Sequence, residues 1–418
     1  MRLGVFTNQF PALLNTFFAR DMRALLECGI ELDVFAFYPP DQRLWENVPE
    51  LLNSSVLPRN RVHHFEMAKL AMAGAPWPPS RAIPFARDAL PLLAAAARFG
   101  GAHAVKSAYA SAYAWACAKE FGAQRFDHIL AYWGNHAASV AYLFHRRTQP
   151  DVPFSMFVRA RMDLYRQPAF LREKMLYADN IFLVCEFNRG YLRNHFGDVF
   201  PRISDRIALH YSGLPLEQIP FKPGNRPPAR LVAAGNLEPL KGFACLIEGM
   251  SALRRRGVET SLDLIGGGPQ DGALRALAAR LGLARQVTFH GWLKSDQVLA
   301  LMRQATVLVH PPVERDAMPN VVKEALAVGT PVIASDLAGI PEMLDGGRCG
   351  VLVPPADVEA LADAIQALLA DPVRRLDFAA AGRQHMEARF DLWQNGRVLA
   401  DRLRMTVRHG GGSHAIAS

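Results

Sequence analysis

The chain has 418 residues, 50% hydrophobic and 21% charged, which suffices for two or three domains with sizeable cores and excludes a disordered or fibrous protein. Its formal net charge of +8 permits anionic partners, but no zinc-finger spacing, arginine-rich tract or aromatic-basic RNA motif is present, so nucleic acid is not expected among them. Five scattered cysteines (Cys28, Cys117, Cys185, Cys245, Cys349) without a C-x-x-C pair give no disulfide framework. With no signal-peptide pattern and no apolar run near the roughly 20 residues of a membrane span, the sequence predicts a cytoplasmic protein, soluble or peripheral on a membrane.

In chain order, strand and helix patterns alternate, the signature of doubly wound parallel sheets. LGVFT (3–7), a helix from Asn15 or Thr16 to Gly29, and ELDVFAF (31–37) form a first βαβ unit. Residues 70–100 read as a loop leading into a helix with an apolar, basic-edged surface. The region from Trp77 to Phe99 either packs into the core or rests against an inner-membrane surface. HILAYW (128–133), a helix over 135–147, PFSMFV (153–158), a helix around 168–178, IFLVC (181–185) and a strand near 206–210 complete an N-terminal Rossmann-like domain, 1–215.

LEQIPFKPGNRPPAR, with four prolines and a glycine, predicts an interdomain linker at 216–229. The alternation then restarts: RLVAAG (230–235), a helix from Lys241 to Arg256, SLDLIG (261–266), QVTFHG (286–291), TVLVH ending at His310, PVIAS (331–335) and GVLVP (350–354). This predicts a second Rossmann-like domain over 230–390, a C-terminal helix (391–408) packing back on the N-terminal domain, and a disordered tail (409–418). The predicted fold class is α/β, two doubly wound domains facing each other across a cleft lined by the carboxyl ends of the strands.

Three segments of the second domain carry candidate chemistry. Residues 310–335 hold Asp316 on a loop and Glu324 about one turn inside a helix introduced by Pro319. Unpaired amides and the helix dipole there suit a phosphorylated, hydroxyl-rich ligand, although two solvated acids would give the same pattern. Lys241, at an expected helix start, opposes the dipole preference and is either solvated or paired with an anion. Gly266-Gly267-Gly268 permits close backbone approach to a ligand. It is not a dinucleotide fingerprint, because Asp271 stands where the last glycine of G-x-G-x-x-G belongs. No D-x-D, H-E-x-x-H or G-x-S-x-G occurs, so neither a metal site, a resident cofactor nor a common hydrolase is expected.

The ordered set G-N-L-x-x-x-K-G, L-x-x-I-G-G-G-P, V-T-F-H-G, D-x7-E, T-P-V-I-A-S, Gly339-Ile340-Pro341-Glu342 and GVLVPPAD resembles the retaining family-4 glycosyltransferases over about 130 residues. FPALLNTFFARDMRALLECGIELDVFAF resembles members that build bacterial exopolysaccharide, capsule or lipopolysaccharide. The resemblance implies the GT-B fold, a UDP- or GDP-sugar donor and a glycan or polyprenyl-linked acceptor. It makes Lys241 and Asp316 catalytic, Lys241 at the donor diphosphate and Asp316 at the transferred sugar. Glu324 would hold the ribose, the backbone of Met318, Asn320, Val321 and Val322 the sugar hydroxyls and distal phosphate, and Asn236, Gly267, Gly268 and Trp292 would shape the rest of the donor site. Asn15, Thr16, Arg159, Arg161 and Asp163 fall on the acceptor or phosphate side.

Three residues depart from the family pattern. Asn236 replaces a diphosphate arginine, Asp316 replaces a glutamate, and Ala160 stands where a histidine is common. Arg159 or Arg161 is a candidate to supply the charge missing at Asn236. The departures keep a second reading in play, a non-catalytic nucleotide-sugar or glycan-binding protein of the same fold.

Overall fold

The structure, a computed structural model, describes residues 1–11, 16–39, 57–65, 79–159, 161–165, 170–224 and 226–408, without the side chains of Arg81, Arg161 and Met162. The chain divides into two compact units. One joins Met1–Gly213 to the segment from Leu392 onward, and the other is Leu214–Asp391.

In unit 1 the strands are β1 (Arg2–Gln9), β2 (Glu31–Tyr38), β3 (Val62–His63), β4 (His128–Ala131), β5 (Phe154–Val158), β6 (Asn180–Leu183) and β7 (Ile207–Leu209). They form one parallel sheet in the order β3-β2-β1-β4-β5-β6-β7. The order reverses between β1 and β4, the switch point at which the loops leaving two neighbouring strands diverge. Strands β4, β5 and β6 are buried along their whole length, which is why they read as continuous apolar runs rather than alternating ones.

Helix α1 (Thr16–Glu27) covers one face and α2 (Pro79–Ala97), α3 (Gly101–Phe121) and α4 (His136–Thr148) the other. The small helices α5 (Leu171–Tyr177), α6 (Glu186–His195) and α7 (Phe200–Ile203) follow β5 and β6. The 21-residue α3 was not expected from sequence. Its alanine-rich stretch is apolar nearly all round, so it lacks the one-sided periodicity that marks a surface helix.

Unit 2 contains β8 (Arg230–Ala234), α8 (Phe243–Arg255), β9 (Ser261–Ile265), α9 (Asp271–Arg280), β10 (Val287–Gly291), α10 (Ser295–Gln304), β11 (Val307–His310), α11 (Asn320–Val328), β12 (Val332–Ser335), α12 (Ile340–Met343), β13 (Gly350–Val353), α13 (Val358–Ala370) and α14 (Pro372–Arg389). Its sheet runs β10-β9-β8-β11-β12-β13, all parallel, with the reversal between β8 and β11. Two doubly wound parallel sheets are therefore present, as the alternation predicts.

Both units carry the same pin across three strands. In unit 1, Arg2 Nε donates to Asp33 Oδ2 at 2.9 Å and His63 Nε2 lies 3.0 Å from Asp33 Oδ1. In unit 2, Arg230 Nε donates to Asp263 Oδ2 at 2.6 Å and His290 Nε2 lies 2.7 Å from Asp263 Oδ1. Burial pushes each aspartate up, but the histidine and arginine hydrogen bonds outweigh it and hold both below the ordinary carboxylate value.

The proline-rich stretch expected as a linker is docked on unit 2 instead. Arg226 Nη1 donates to the carbonyls of Met302 (2.9 Å), Arg303 (2.9 Å) and Ala305 (2.7 Å) and to Thr330 Oγ1 (3.0 Å), while its Nη2 reaches the Gly329 carbonyl at 2.8 Å. Arg383 holds the carbonyls of Leu216 and Ile219, each at 3.0 Å. One arginine thus reaches out of the stretch to carbonyls of unit 2, and another reaches in to carbonyls of the stretch, each guanidinium serving several acceptors with its several donors.

Helix α15 (Leu392–Arg408) returns to unit 1 and packs on α1. A Cβ at Gly396 would stand 2.4 Å from the Ala24 side chain, so the approach depends on the missing side chain. Arg402 Nε donates to Asn180 Oδ1 at 2.9 Å and Asn395 Nδ2 to the Tyr211 carbonyl at 2.9 Å. The tail 409–418, expected to be disordered, lies outside the described residues.

Candidate functional site

At the switch point of unit 2, the loops leaving β8 and β11 bring Lys241 and Asp316 into direct contact. Lys241 Nζ donates to Asp316 Oδ2, and His310 Nε2, at the end of β11, lies 3.4 Å from the same oxygen. Burial raises the Asp316 pKa, but the Lys241 charge and then His310 overcome it and hold the carboxyl well below the ordinary carboxylate range. Burial also lowers His310, so the imidazole is neutral. The site thus holds one ammonium and one carboxylate, each side chain only about 20% exposed.

Lys241 is not in the first turn of a helix as expected. It closes a 3-10 turn, Pro239–Lys241, and α8 begins two residues later. Gly242 makes this possible: its φ is +68°, and a Cβ there would stand 1.8 Å from the Pro311 carbonyl oxygen. The Val313 amide donates to the Leu240 carbonyl at 2.9 Å, tying the lysine turn to the aspartate loop.

Pro319 caps α11 without a side-chain hydrogen bond, and Glu324 stands on its second turn, half-buried. As the first helical residues, Asn320 and Val321 have amides with no intrahelical partner. Val322 is a correction. It is fully buried and its amide already donates to the Pro319 carbonyl at 3.2 Å, so it has no donor to offer a ligand. Met318 is half-buried beside Gly339. Asn236 is also engaged, its Nδ2 donating to Glu238 Oε1 at 2.6 Å.

The triple glycine and the residue after β10 meet. A Cβ on Gly267 would lie 2.6 Å from Trp292 Nε1, so the indole rests directly on the glycine backbone while the side chain stays 47% exposed. Leu237 and Gly268 are equally close, and the Leu237 amide donates to the Gly267 carbonyl at 3.0 Å. The structure therefore gathers Lys241 and Asp316 on one side and Gly267, Gly268 and Trp292 on the other, around the carboxyl ends of β8 and β9.

In unit 1 the candidates separate. Asn15 and the side chain of Arg161 lie outside the described residues, and Thr16 is the exposed first residue of α1. Arg159 is a correction. It is 7% exposed, with its guanidinium 4.0 Å from the Tyr132 ring centre and 4.7 Å from that of Phe157 and its Nη2 3.8 Å from Asp21. An arginine enclosed by rings and facing a carboxylate has its charge engaged within its own unit, where the sequence had offered it as a free cation.

Asp163 is fully buried in the π turn Arg161–Tyr165, its Oδ2 accepting from the Arg159 amide at 3.3 Å. Burial raises it to about 6. Nearby is a group the sequence reading missed: Lys174 Nζ, wholly buried, donates to the carbonyls of Gly134 (2.9 Å) and Asn135 (3.0 Å) and to Ser139 Oγ (3.1 Å). Burial lowers this lysine to about 7. The signal was available, because Lys174 shares the inward phase of Leu171 and Met175 on α5.

Asp21 was missed as well. It is buried on α1 and accepts from the Tyr132 hydroxyl, from Ser212 Oγ at 3.0 Å and from His210 Nε2 at 3.1 Å. No sequence spacing foretells a set drawn from α1, the residue after β4 and the segment after β7. Among the described residues no group of three or more His, Cys, Asp or Glu is placed to hold a metal ion.

Two parallel doubly wound units with this connectivity define the GT-B class. The structure superposes on sucrose-phosphate synthase from Thermosynechococcus elongatus with a TM-score of 0.71 at 19% identity, covering 98% of this chain and 100% of that one. It superposes on Anabaena HepE in complex with UDP-glucose with a TM-score of 0.67 at 17% identity, over 97% and 99% of the two chains. Residues 228–371 match the family described as glycosyl transferases group 1, so the segment that builds the Lys241–Asp316 site is the part of the chain that matches this family.

The GDP-mannose-dependent alpha-(1-6)-phosphatidylinositol monomannoside mannosyltransferase of Mycobacterium tuberculosis is 35% identical over 241 residues, 53% of this chain and 61% of that protein. The putative colanic acid biosynthesis glycosyltransferase WcaL of Escherichia coli K12 is 30% identical over 170 residues, 39% and 42% of the two chains. The match therefore spans less than two thirds of each of these relatives.

Proposed function

We propose that the protein is a retaining glycosyltransferase that moves a sugar from a UDP- or GDP-linked donor to a glycan or lipid-linked acceptor in bacterial surface-polysaccharide biosynthesis. The observation that carries the reading is the Lys241–Asp316 pair at the switch point of unit 2, beside the unpaired amides of α11. An ammonium and a helix N-terminus are suited to a diphosphate, and charge on that leaving group grows in the transition state, where fixed donors act most strongly. Asp316 is the acid closest to that ammonium and is assigned to the sugar; Glu324, one helical turn on, is assigned to the ribose.

Incubating the protein with UDP-, GDP- and ADP-sugars and following nucleoside diphosphate release tests the reading. Slow release of UDP or GDP is expected even without acceptor. Saturable binding with no release from any sugar nucleotide would favour a non-catalytic binder.

The acceptor side is placed on unit 1, and the protein is assigned to the cytoplasmic face of the inner membrane. No helix among the described residues is long and apolar enough to cross a membrane. Of the basic-apolar region, Trp77 lies outside the described residues, but Ile83 (67%) and Leu90 (63%) on α2 and Val105 (70%) on α3 are exposed, with exposed Arg87, Arg98 and Lys106 among them. Such a mixture suits an anionic lipid surface. Flotation with anionic vesicles is expected to carry the wild type upward and to leave an Ile83→Ser, Leu90→Ser variant behind; equal flotation of both would remove the membrane assignment.

A further inference from the structure

The Lys241–Asp316 pair has a third member whose place in it is unexplained. His310 is 1% exposed, and neither ring nitrogen has a hydrogen-bond partner of ordinary geometry among the described residues. Its nearest acidic atom is Asp316 Oδ2, at 3.4 Å, the oxygen that Lys241 already occupies. A buried imidazole without a well-directed partner is costly, and in a native site it calls for an explanation, a catalytic role among them.

We propose that His310 is a positioning residue that takes over the Asp316 carboxylate when a donor diphosphate draws Lys241 away from it. This rests on the donor-site reading above. The exchange is of hydrogen bonds only. In the free protein Lys241 holds Asp316 Oδ2, and His310 Nε2 makes only a long, poorly directed contact of 3.4 Å with the same oxygen. When Lys241 turns to a phosphate, Asp316 loses its cation, and the neutral imidazole, with its proton on Nε2, closes the remaining few tenths of an ångström and donates to the carboxylate. Both groups stay paired, so Asp316 remains ionised and fixed beside the sugar instead of swinging into solvent. Without His310, releasing Lys241 would strand a carboxylate that is only one-fifth exposed.

The exchange predicts a coupling between His310 and Asp316 that appears in nucleotide binding, independent of turnover. Methionine and glutamine are close in shape, but only glutamine offers an N–H. By calorimetry on the full chain with UDP, GDP and ADP, His310→Met is expected to weaken the nucleotide that binds by about fivefold and His310→Gln by less than about twofold. In an Asp316→Asn background, His310→Met is expected to change affinity by less than about twofold, because no charge is then stranded. Melting temperatures of all four variants identify any general loss of folding, which would lower binding in both backgrounds alike. Equal weakening in both backgrounds, or none in either, overturns the exchange while Lys241-dependent binding leaves the donor site standing. A wild-type chain that binds none of the three nucleotides overturns both.

Discussion

Lys241→Ala is expected to weaken nucleoside diphosphate binding by about 10- to 100-fold, the equivalent of one charge-assisted hydrogen bond of roughly 1.5–3 kcal/mol. The lysine stands on a 3-10 turn held against the Pro311 backbone through Gly242, so its ammonium is presented by a fixed platform and no neighbouring cation on that turn replaces it. The substitution should also change acid stability. Asp316 is held below the ordinary carboxylate value, so its contribution to stability is present above that value and is lost as pH falls through the folded pKa. Without Lys241 most of that contribution disappears. The melting temperatures of the two proteins should therefore differ most at neutral pH and converge in strong acid. Titration calorimetry and melting curves against pH check both statements; binding unchanged by the substitution would move the diphosphate to another site.

Asp316→Asn is expected to act in the opposite sense on binding and far more heavily on transfer. Losing the carboxylate releases Lys241, so nucleoside diphosphate affinity should hold or rise. The turnover number should fall by about 100-fold or more, the scale seen when one fixed polar group of a transition state is removed. Comparing the turnover number with nucleotide affinity separates the roles, and equal losses in both would mean that Asp316 binds the nucleotide rather than the sugar. The size of the effect follows from placement. Asp316 is one methylene shorter than the glutamate of the pattern it resembles, and its loop is tied to the turn that carries Lys241 by the Val313–Leu240 hydrogen bond, which shortens the reach the site needs.

Much of this was legible from spacing. The two doubly wound sheets followed from alternating periods, and the Lys241, triple-glycine and Asp316 loops each leave a strand at the carboxyl edge where such sheets bind ligands. What spacing cannot carry is the identity of a side chain's partner. Asn236 reads as a donor until Glu238 is seen beside it, and Arg159 reads as a free cation until its ring of aromatic side chains and Asp21 are in place. The same limit hid Lys174, whose three acceptors come from the loop after β4 and from α4. Composition misled in another way at 216–229: four prolines suggested a loose hinge, yet Arg226 of the stretch holds carbonyls of unit 2 and Arg383 holds carbonyls of the stretch.

The return of α15 to α1 makes unit 2 an interruption in the sequence of unit 1. The interruption is closed at its neck, where the Leu214 amide donates to the Phe390 carbonyl at 2.9 Å. During synthesis from the N-terminus, unit 2 has all its residues as soon as Asp391 has left the ribosome, whereas unit 1 must still wait for the helix that covers α1. The later part of the chain can thus finish folding before the earlier part, and the side of α1 around Ala24 that Gly396 packs on stays uncovered throughout translation of the segment between them.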